Sequence, residues 1–318
     1  MPTDRTRLAP SPTGALHLGN ARTFLVNWAL ARQRGWQIVL RIDDLDGPRV
    51  KSGADREAIE MLQWLGLDWD EGPYYQRQDL APYQAALVRL AERGAIYPCR
   101  CTRTQIQAAA LSAPHAGEHE LRYPGTCRPP APIPADSALL GSAELAWRLR
   151  VPPGPVEFAD AVAGPQCVDV QEEVGDFLVA TKAGLPSYQL AVVVDDAAQG
   201  ITQVVRGDDL LSSTARQLHL YRECGLTPPR SYWHLPLVVG PDGRRLAKRH
   251  GDSRVAYFQE RGTPPERIIG LLAEWCGLGP RRATTAAEFR SRFDLSRLPR
   301  SRIIYTPDDE RWLGEASG

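Results

Sequence analysis

The most informative stretch of the chain is residues 5–42, which read RTRLAPSPTGALHLGNARTFLVNWALARQRGWQIVLRI. Arg5–Ala9 predicts a short strand, which ends at the proline and glycine turn of residues 10–14. A helix is expected over Leu18–Arg34, because apolar residues recur there at helical spacing. Trp36–Ile42 is almost continuously apolar, as in a strand buried in a parallel sheet. Strand, helix and strand with short connections indicate an α/β domain.

The middle of the chain interrupts this alternation. Between Pro98 and Pro186 helical periodicity is weak, and nine of the 27 prolines fall in residues 124–165. We therefore expect a doubly wound α/β domain that is split by an insertion of short strands and loops and followed by a small helical appendage. The elements expected outside the insertion are helices at 53–66 and 79–94, the apolar runs Leu190–Asp195 and Ile201–Val205, a helix at Ser213–Cys224, a strand at Leu235–Val239 and a helix at Glu266–Cys276.

Composition narrows the class of protein. The 318 residues are 43% apolar and 24% charged, as in ordinary soluble proteins of about two domains. With 38 basic and 38 acidic residues, the chain lacks the large positive excess of a protein that coats nucleic acid. Residues 241–318 nevertheless hold 15 basic and 11 acidic side chains, which permits a local basic face. Neither a membrane span nor a signal peptide is apparent, so a cytoplasmic location is expected.

A phosphate site is predicted where the first helix begins, at His17-Leu-Gly-Asn20. A helix N-terminus offers amide donors and a partial positive charge. Gly19 leaves room for a nucleotide against the backbone, and His17 could donate to a phosphoryl group. Taken alone, the motif is read more simply as a proline-rich turn with a capping histidine.

A second segment, Arg244-Arg-Leu-Ala-Lys-Arg-His250, follows the last predicted strand. A mobile basic loop of this kind can close on the β- and γ-phosphates and stabilise departing pyrophosphate. Lys248 is one of only three lysines in the chain, and lysine acts as a point charge rather than a bidentate fork. Without further support, the segment would more simply be a solvated basic turn.

Three of the six cysteines lie close together, in Cys99-Arg-Cys101 and Tyr123-Pro-Gly-Thr-Cys127. Six cysteines are far too few for a disulfide scaffold, so a metal is favoured over disulfides. A structural zinc site needs four ligands, and Cys-x-Cys is tighter than the usual spacing. Spacing alone therefore leaves zinc and ordinary buried thiols equally open, with His115 and His119 as candidate fourth ligands.

Together these motifs resemble those of class I aminoacyl-tRNA synthetases. His17-Leu-Gly-Asn20 is similar to the HIGH motif, and Leu246-Ala-Lys-Arg-His250 is similar to a degenerate KMSKS loop. The resemblance to the glutamyl-tRNA synthetase group is closer still and covers residues 5 to about 255. It rests on the segments Arg7–Gly14, Arg41–Asp46, Tyr188–Asp196 and Val205–Leu210.

The resemblance implies a pocket for glutamate. Two arginines suit a substrate with two carboxylates, because guanidinium pairs with carboxylate as a bidentate fork. Asp43 would receive the α-ammonium group, where the family usually has glutamate. An ion pair of Arg206 with Asp208 or Asp209 is the alternative role for that arginine. The residues implied to bind glutamate are Arg7, Leu8, Ala9, Pro10, Ser11, Asp43, Tyr188 and Arg206.

The resemblance also implies an ATP site at His17, Gly19, Asn20 and Lys248, with His17 and Lys248 catalytic and magnesium accompanying ATP. Asn20 departs from the final histidine of HIGH. A Cys-x-Cys…Tyr-x-x-x-Cys zinc site is characteristic of the short glutamyl-queuosine tRNA(Asp) synthetases. That group implies one structural zinc ion, held by Cys99, Cys101, Tyr123 and Cys127.

The resemblance implies that the chain is divided into four parts. We expect residues 1–98 and 188–240 to form the Rossmann-like catalytic domain of a class I synthetase, and 99–187 a zinc-containing, acceptor-type insertion. Residues 241–318 would hold the KMSKS-like loop and a short helical stem-contact region. Only 68 residues follow His250, so no anticodon-binding domain is expected.

The implied activity is ATP-dependent activation of L-glutamate without tRNA, then transfer to the queuosine base in the anticodon arm of tRNA(Asp). Neither a membrane nor an obligate protein partner is implied. Two alternatives stay open: a truncated glutamyl-tRNA synthetase that charges tRNA(Glu), and a non-catalytic, zinc-stabilised RNA-binding module.

Overall fold

A computed structural model describes residues 3–102, 104–107, 122–244, 246 and 252–314. The strands are β1 (Arg5–Leu8), β2 (Gln37–Ile42), β3 (Glu71–Tyr75), β4 (Ile96–Cys99), β5 (Ala146–Leu149), β6 (Val156–Asp160), β7 (Gly164–Val168), β8 (Leu178–Ala180), β9 (Gln203–Gly207), β10 (Ser231–Leu235), β11 (Val238–Val239) and β12 (Ile303–Ile304). The α-helices are α1 (Leu18–Arg34), α2 (Ala54–Trp64), α3 (Ala81–Glu92), α4 (Val170–Glu173), α5 (Tyr188–Ala198), α6 (Leu211–Cys224), α7 (Val255–Glu260), α8 (Pro265–Trp275), α9 (Ala286–Arg292) and α10 (Pro307–Gly314).

Parallel strands form the centre of the molecule. One sheet has the order β1-β2-β3 and a second has the order β7-β6-β10-β9, with parallel pairing of β1 to β2, β2 to β3, β9 to β10 and β10 to β6. The two sheets meet at β1 and β9, where the Thr202 amide donates to the Arg5 carbonyl over 2.9 Å. Successive strands thus extend outward in opposite directions from the junction of β1 and β9. In α/β folds, ligands bind at such a reversal, beyond the carboxyl ends of the strands.

A separate antiparallel sheet of order β4-β5-β8 is built from residues between 96 and 180. Trp147 of β5 is fully buried there and shares a core with Leu90 of α3 and Leu190 of α5. A larger core surrounds α1, where Leu25 packs with Leu271 and other apolar residues of the C-terminal helices. Two apolar cores therefore lie on either side of the cleft at β1 and β9.

The first helix has the bounds that its periodicity predicts, and Gly35 ends it in the left-handed conformation at φ 67°. The apolar run of residues 190–195 is helical, as part of α5, although its three consecutive valines favour a strand. Ser187 caps that helix by accepting from the Leu190 amide, and burial against α3 and α6 overrides the local preference. The single strand expected at 235–239 is two strands, because Pro236 cannot donate to a sheet.

No helix in the described part of the chain is long and apolar enough to cross a membrane.

Candidate active site

A charged cluster lies at the carboxyl ends of β1 and β2 and is formed by Arg7, Arg41, Asp43 and Asp196. Arg41 is central: its Nε donates to Asp43 Oδ1 over 2.8 Å and its Nη1 to Asp196 Oδ1 over 2.7 Å. The Nε of Arg7 lies 3.3 Å from both carboxylate oxygens of Asp196. The cluster therefore fixes Arg7 from β1 beside Asp43, which follows β2.

Burial and the arginine charges act in opposite directions on the two carboxylates of this cluster. Burial prevails at Asp43 and raises the pKa of its carboxyl group, with Arg41 as the main opposing charge. The pKa of Asp196 is lowered despite burial, because Arg7 and Arg41 both stabilise its carboxylate. The Asp43 side chain is 11% exposed, so it remains reachable from the cleft.

The segment after β1 is tied to the segment after β2. The Asp43 amide donates to the Pro10 carbonyl over 3.0 Å, and Ser11 Oγ donates to the Asp43 carbonyl over 3.0 Å. Leu8 and Pro10 are buried, Ala9 is half-buried and Ser11 is exposed. These contacts hold residues 8–11 along one side of the cleft that contains Asp43.

Tyr188 and Arg206 approach the same cluster from the other side. Tyr188 begins α5 and is 41% exposed. Desolvation raises the pKa of its phenol, and the charges of Arg206, Asp43 and Arg7 act on it. The structure therefore brings Arg7, Asp43, Tyr188 and Arg206 into one electrostatic environment.

Arg206, on β9, is only 5% exposed. Its Nε donates to His234 Nε2 over 2.9 Å, and its Nη2 donates to Thr214 Oγ1 over 2.8 Å and to the Leu210 carbonyl over 3.3 Å. These contacts replace the alternative ion pair with Asp208 or Asp209. Within the described residues, the buried Nη1 has no hydrogen-bond partner, so this nitrogen can receive a ligand carboxylate.

His17 occupies the N-cap of α1 in a capping box with Asn20. The Asn20 amide donates to His17 Nδ1 over 3.3 Å, and the His17 amide donates to Asn20 Oδ1 over 3.2 Å. Since Nδ1 accepts, the hydrogen of the neutral ring lies on Nε2, the nitrogen that can donate to a phosphate. Asn20 therefore holds the His17 ring in place.

The first-turn amides of α1 are less available than the sequence motif implies. The Leu18 amide already donates to the Ser253 carbonyl over 2.8 Å, and the Asn20 amide is used by His17. Gly19 is therefore the first-turn residue whose amide can meet a phosphate. A Cβ on Gly19 would come within 3.1 Å of the His17 ring and 3.4 Å of Val238 Cβ.

The predicted catalytic Lys248 lies outside the described residues, as do His115 and His119. Both described flanks of the Lys248 loop lie at the start of α1. Val238 precedes the loop and is close to Gly19, while Ser253 follows it and accepts from Leu18. Val238 and Ser253, on the two sides of this segment in the sequence, thus both contact the first turn of α1.

The structure brings Cys99, Cys101 and Cys127 together, with all three sulfurs within 4.8 Å of one another. Tyr123 Oη lies 3.5 Å from Cys99 Sγ and 3.8 Å from Cys101 Sγ, and the sulfurs of Cys101 and Cys127 are 3.6 Å apart. Tetrahedral zinc with bonds of about 2.3 Å separates its sulfur ligands by roughly 3.8 Å. The four side chains thus fit the size of a zinc site.

The surroundings of this group favour a thiolate at Cys127, whereas burial raises the pKa of the Cys101 thiol. Arg148 Nε donates to Cys99 Sγ over 3.3 Å, and its guanidinium lies 3.7 Å from the centre of the Tyr123 ring. Although burial opposes ionisation, the Arg100 backbone and the Tyr123 hydroxyl lower the pKa of Cys127 to about 7. A cation and hydrogen-bond donors beside three thiols are what a thiolate-ligated metal requires.

Comparison with known proteins identifies the family. Residues 4–303 match the family described as tRNA synthetases class I (E and Q), catalytic domain. The solved structure of a glutamate tRNA ligase from Elizabethkingia meningosepticum, in complex with its amino acid, has a TM-score of 0.81 at 26% identity. That similarity covers 98% of this chain and 69% of the ligase chain. The chain belongs to the class I synthetase family and is a ligase.

Within this family, the chain is similar to proteins named glutamyl-Q tRNA(Asp) synthetase, as the sequence motifs predict. It is 47% identical to that of Rhodopirellula baltica, over 86% of this chain and 85% of the relative. It is 45% identical to the protein of that name from Symbiobacterium thermophilum, over 93% of this chain and 94% of the relative. Glutamate–tRNA ligase 1 of Alkalilimnicola ehrlichii is 39% identical over 98% of this chain and 65% of the ligase.

Several supporting residues were not assigned roles from the sequence. Arg41 and Asp196 lie inside the family segments Arg41–Asp46 and Tyr188–Asp196. The sequence therefore shows that they belong to the motifs, but it does not show which side chains they contact. Asp160 contacts His234 across 74 positions, and no pattern in the sequence pairs them. Side chains that act by contacting another side chain leave no local sequence signal.

Proposed function

We propose that this protein activates L-glutamate with ATP to form glutamyl-adenylate, without needing tRNA, and transfers the glutamate to the queuosine base of tRNA(Asp). The observation that carries glutamate recognition is the buried Nη1 of Arg206, which has no partner among the described residues and lies near Tyr188 and Arg7. A buried guanidinium nitrogen without a partner is costly unless an anionic ligand completes its hydrogen bonding.

The charged cluster supplies the other contacts of an amino acid with two carboxylates. Arg7 offers a second guanidinium, Asp43 an acceptor for the α-ammonium group, and Tyr188 a hydroxyl at the mouth of the cleft. Asp43 also pairs with Arg41, which leaves its partly exposed carboxylate oriented for the ammonium group. Leu8, Ala9, Pro10 and Ser11 would form the wall of this pocket.

In the activation step, a glutamate carboxylate oxygen attacks the α-phosphorus of ATP, and the bond to the pyrophosphate oxygen breaks. His17 Nε2 and the Gly19 amide stabilise the negative charge that develops on the α-phosphate. Asn20 orients His17, and Lys248 stabilises departing pyrophosphate. Magnesium accompanies ATP. Catalysis then consists of positioning and electrostatics, with no covalent intermediate on the protein.

We assign one structural zinc ion to Cys99, Cys101, Tyr123 and Cys127. Their spacing and the contact of Arg148 with Cys99 support this assignment. Bound there, zinc would cross-link residues 99–101 to residues 123–127 and so stabilise a part of the chain that is rich in loops. Its proposed role is structural, and none of the four ligands has a part in the proposed chemistry.

The domain division follows from the same proposal. Residues 1–98 and 188–240 would form the catalytic domain, 99–187 the zinc-containing, acceptor-type insertion, and 241–318 the KMSKS-like loop and the short helical stem-contact region. Within 99–187, strands β5 and β8 form a sheet with β4, whereas β6 and β7 extend the central sheet through the pairing of β6 with β10. A cytoplasmic location belongs to the proposal as well.

The identity of the RNA is the finer part of the proposal. Relatives named glutamyl-Q tRNA(Asp) synthetase are 44–47% identical to this chain, whereas those named glutamate–tRNA ligase are 37–39% identical. This difference supports tRNA(Asp) with queuosine over charging of tRNA(Glu). Membership of a ligase family, together with an anion-binding cleft, disfavours a non-catalytic RNA-binding module.

The test is ATP–pyrophosphate exchange with L-glutamate in the absence of tRNA. We expect exchange with the intact protein and strong suppression in Lys248→Ala, because a loop lysine stabilises pyrophosphate in the transition state. Lys182→Ala is the matched control for loss of a lysine ammonium group, since that group is exposed and donates to the Arg100 carbonyl.

Three other outcomes would contradict parts of this account. Exchange that requires tRNA(Glu) would favour the truncated ligase, and no exchange under any condition would favour the RNA-binding module. Full activity of Lys248→Ala would refute the role given to the loop.

A further inference from the structure

Behind Arg206 lies a buried chain of polar groups that the proposed reaction does not use. Asp160, at the end of β6, contacts His234 on β10, and His234 contacts Arg206 on β9. All three side chains are almost fully buried, with exposures of 4%, 1% and 5%. Polar groups in such a position need mutual hydrogen bonds, since each is cut off from water.

The hydrogen bonds of His234 define its tautomer. Its Nε2 accepts from the guanidinium Nε of Arg206 over 2.9 Å, so that nitrogen carries no hydrogen. The ring hydrogen therefore lies on Nδ1, which donates to Asp160 Oδ2 over 2.6 Å. A carboxylate that accepts from one ring nitrogen leaves the other as an acceptor.

Asp160 is itself held by backbone groups. Its Oδ1 accepts from the amides of Val162 and Ala163 over 2.9 and 2.7 Å, in the turn that joins β6 to β7. The His234 amide lies 3.2 Å from Asp160 Oδ2 as well. The carboxylate therefore cannot rotate without breaking several hydrogen bonds. Because it accepts from Nδ1, it also fixes the orientation of the His234 ring.

The hydrogen bonds of Arg206 within the protein determine which of its guanidinium nitrogens is left for a ligand. His234 takes Nε, and Thr214 and the Leu210 carbonyl take Nη2. Nη1 is the remaining nitrogen and has no hydrogen-bond partner among the residues described. A planar guanidinium held at two of its nitrogens has its third nitrogen fixed in direction.

We infer that Asp160 and His234 form a positioning pair that holds the guanidinium of Arg206 with Nη1 directed at a carboxylate of the substrate amino acid. This inference rests on the proposed function, because it assumes that glutamate is the ligand of Arg206. Neither Asp160 nor His234 touches the substrate. Their contribution is that Arg206 loses no rotational freedom when glutamate binds.

Two substitutions separate this role from a merely structural one. In His234→Asn the amide nitrogen replaces Nδ1 and can still donate to Asp160, but the side chain is too short to accept from Arg206. In His234→Gln the carbonyl oxygen reaches the place of Nε2 and can still accept from Arg206. His219→Asn is the control, since His219 is another buried histidine and its Nε2 has no partner in the described chain.

The experiment measures the Kd of L-glutamate by calorimetry and the KM values of glutamate and ATP in pyrophosphate exchange. His234→Asn is expected to raise the glutamate Kd and KM about tenfold, the usual effect of losing one charge-assisted hydrogen bond. The KM of ATP should stay within about twofold, and His234→Gln should keep glutamate affinity within about threefold of the intact protein. His219→Asn should leave the glutamate Kd unchanged.

Equal glutamate affinity in both His234 variants, or weaker binding in His234→Gln than in His234→Asn, would overturn the positioning role and leave the proposed function standing. Glutamate binding to the intact protein without any pyrophosphate exchange would refute the proposed activation but not the positioning pair. An intact protein that binds no glutamate would refute both.

Discussion

Arg206 combines buried contacts within the protein with the glutamate-binding role proposed for it. Two of its nitrogens are held by His234 and Thr214, and the third has no partner in the described protein. A residue used only for stability would be expected to satisfy all its buried donors. Arg41 Nη2, in the adjoining charged cluster, is also buried without a partner among the described residues. Together these two nitrogens support the proposal that an anionic ligand completes the site.

Replacing Arg206 by lysine tests this assignment. The ammonium group keeps the charge but loses the planar fork, so the KM of glutamate should rise by roughly 100-fold while the KM of ATP changes little. Steady-state pyrophosphate exchange measures both constants. Arg230→Lys is the control, because Arg230 is exposed and pairs with Asp4 at the surface. An unchanged KM of glutamate in Arg206→Lys would rule out this residue as a ligand.

Gly19→Ala tests the phosphate site. A Cβ at this position would come within 3.1 Å of the His17 ring, so the ring must shift from its place over the helix N-terminus. We expect exchange to fall at least tenfold, as for loss of one positioned donor to a transition state. Gly14→Ala introduces the same methyl group where nothing lies within 4 Å and should retain activity. Equal activities of the two variants would show that His17 need not stay fixed.

The residues proposed to contact the substrate lie in motifs that the sequence shows, whereas the contacts of the residues behind them could not be predicted from the sequence. Arg7 and Arg206 belong to motifs whose order along the chain is itself informative. Asp160 and His234 lie in strands of unremarkable composition, and only the parallel pairing of β6 with β10 brings them together. Their role depends on tertiary contact, which a single sequence does not reveal.

Among the elements, α1 holds most of the proposed ATP site. His17 is its N-cap and Gly19 lies in its first turn, and its Leu18 amide donates to the Ser253 carbonyl. The bounds of α1 could be predicted because the helical spacing of its apolar residues stops where Gly35, a typical helix-ending residue, follows. Helix α5 was harder to predict, since a short run of valines does not distinguish a buried helix from a buried strand.

The elements around the cysteines provide a test of the zinc assignment. Gly175 follows α4 at φ 72°, and a Cβ there would lie 2.6 Å from the Tyr123 carbonyl oxygen. Gly175→Ala should therefore displace Tyr123, reducing bound zinc below one ion per chain and lowering the Tm. Gly184→Ala is the matched control, because the φ of Gly184 is also 72° but nothing lies within 4 Å of the added Cβ.

Metal analysis and thermal unfolding measure these two effects. The strain of a positive φ is common to both glycine variants, so the difference between them reports contact with Tyr123. If protein prepared without chelator contains no zinc, the assignment to the three cysteines and Tyr123 is wrong. If Gly175→Ala and Gly184→Ala bind equal amounts of zinc, Tyr123 is not a ligand.

The whole molecule places two sites at one edge of its central sheets. The charged cluster lies beyond β1 and β2, Arg206 is carried by β9, and the helix that begins at Leu18 follows β1. Because the order of strands reverses between β1 and β9, these groups face a common cleft. A bound carboxylate and the α-phosphate of ATP can meet there, which neither motif alone implies.

The net charge of the whole chain says little about whether the protein binds RNA. The total is zero, and the excess of basic residues in 241–318 is partly held in ion pairs such as Arg281 with Glu274 and Asp309. Net charge therefore neither identifies nor excludes an RNA partner. The acceptor must be identified by the transfer reaction itself.

The most direct measurement is transfer of radiolabelled glutamate to purified tRNA in the presence of ATP, with three acceptors in parallel: tRNA(Asp) that contains queuosine, the same tRNA(Asp) without it, and tRNA(Glu). We predict label on the queuosine-containing tRNA(Asp) alone. Label on tRNA(Glu), or equal labelling of tRNA(Asp) with and without queuosine, would contradict the proposed transfer.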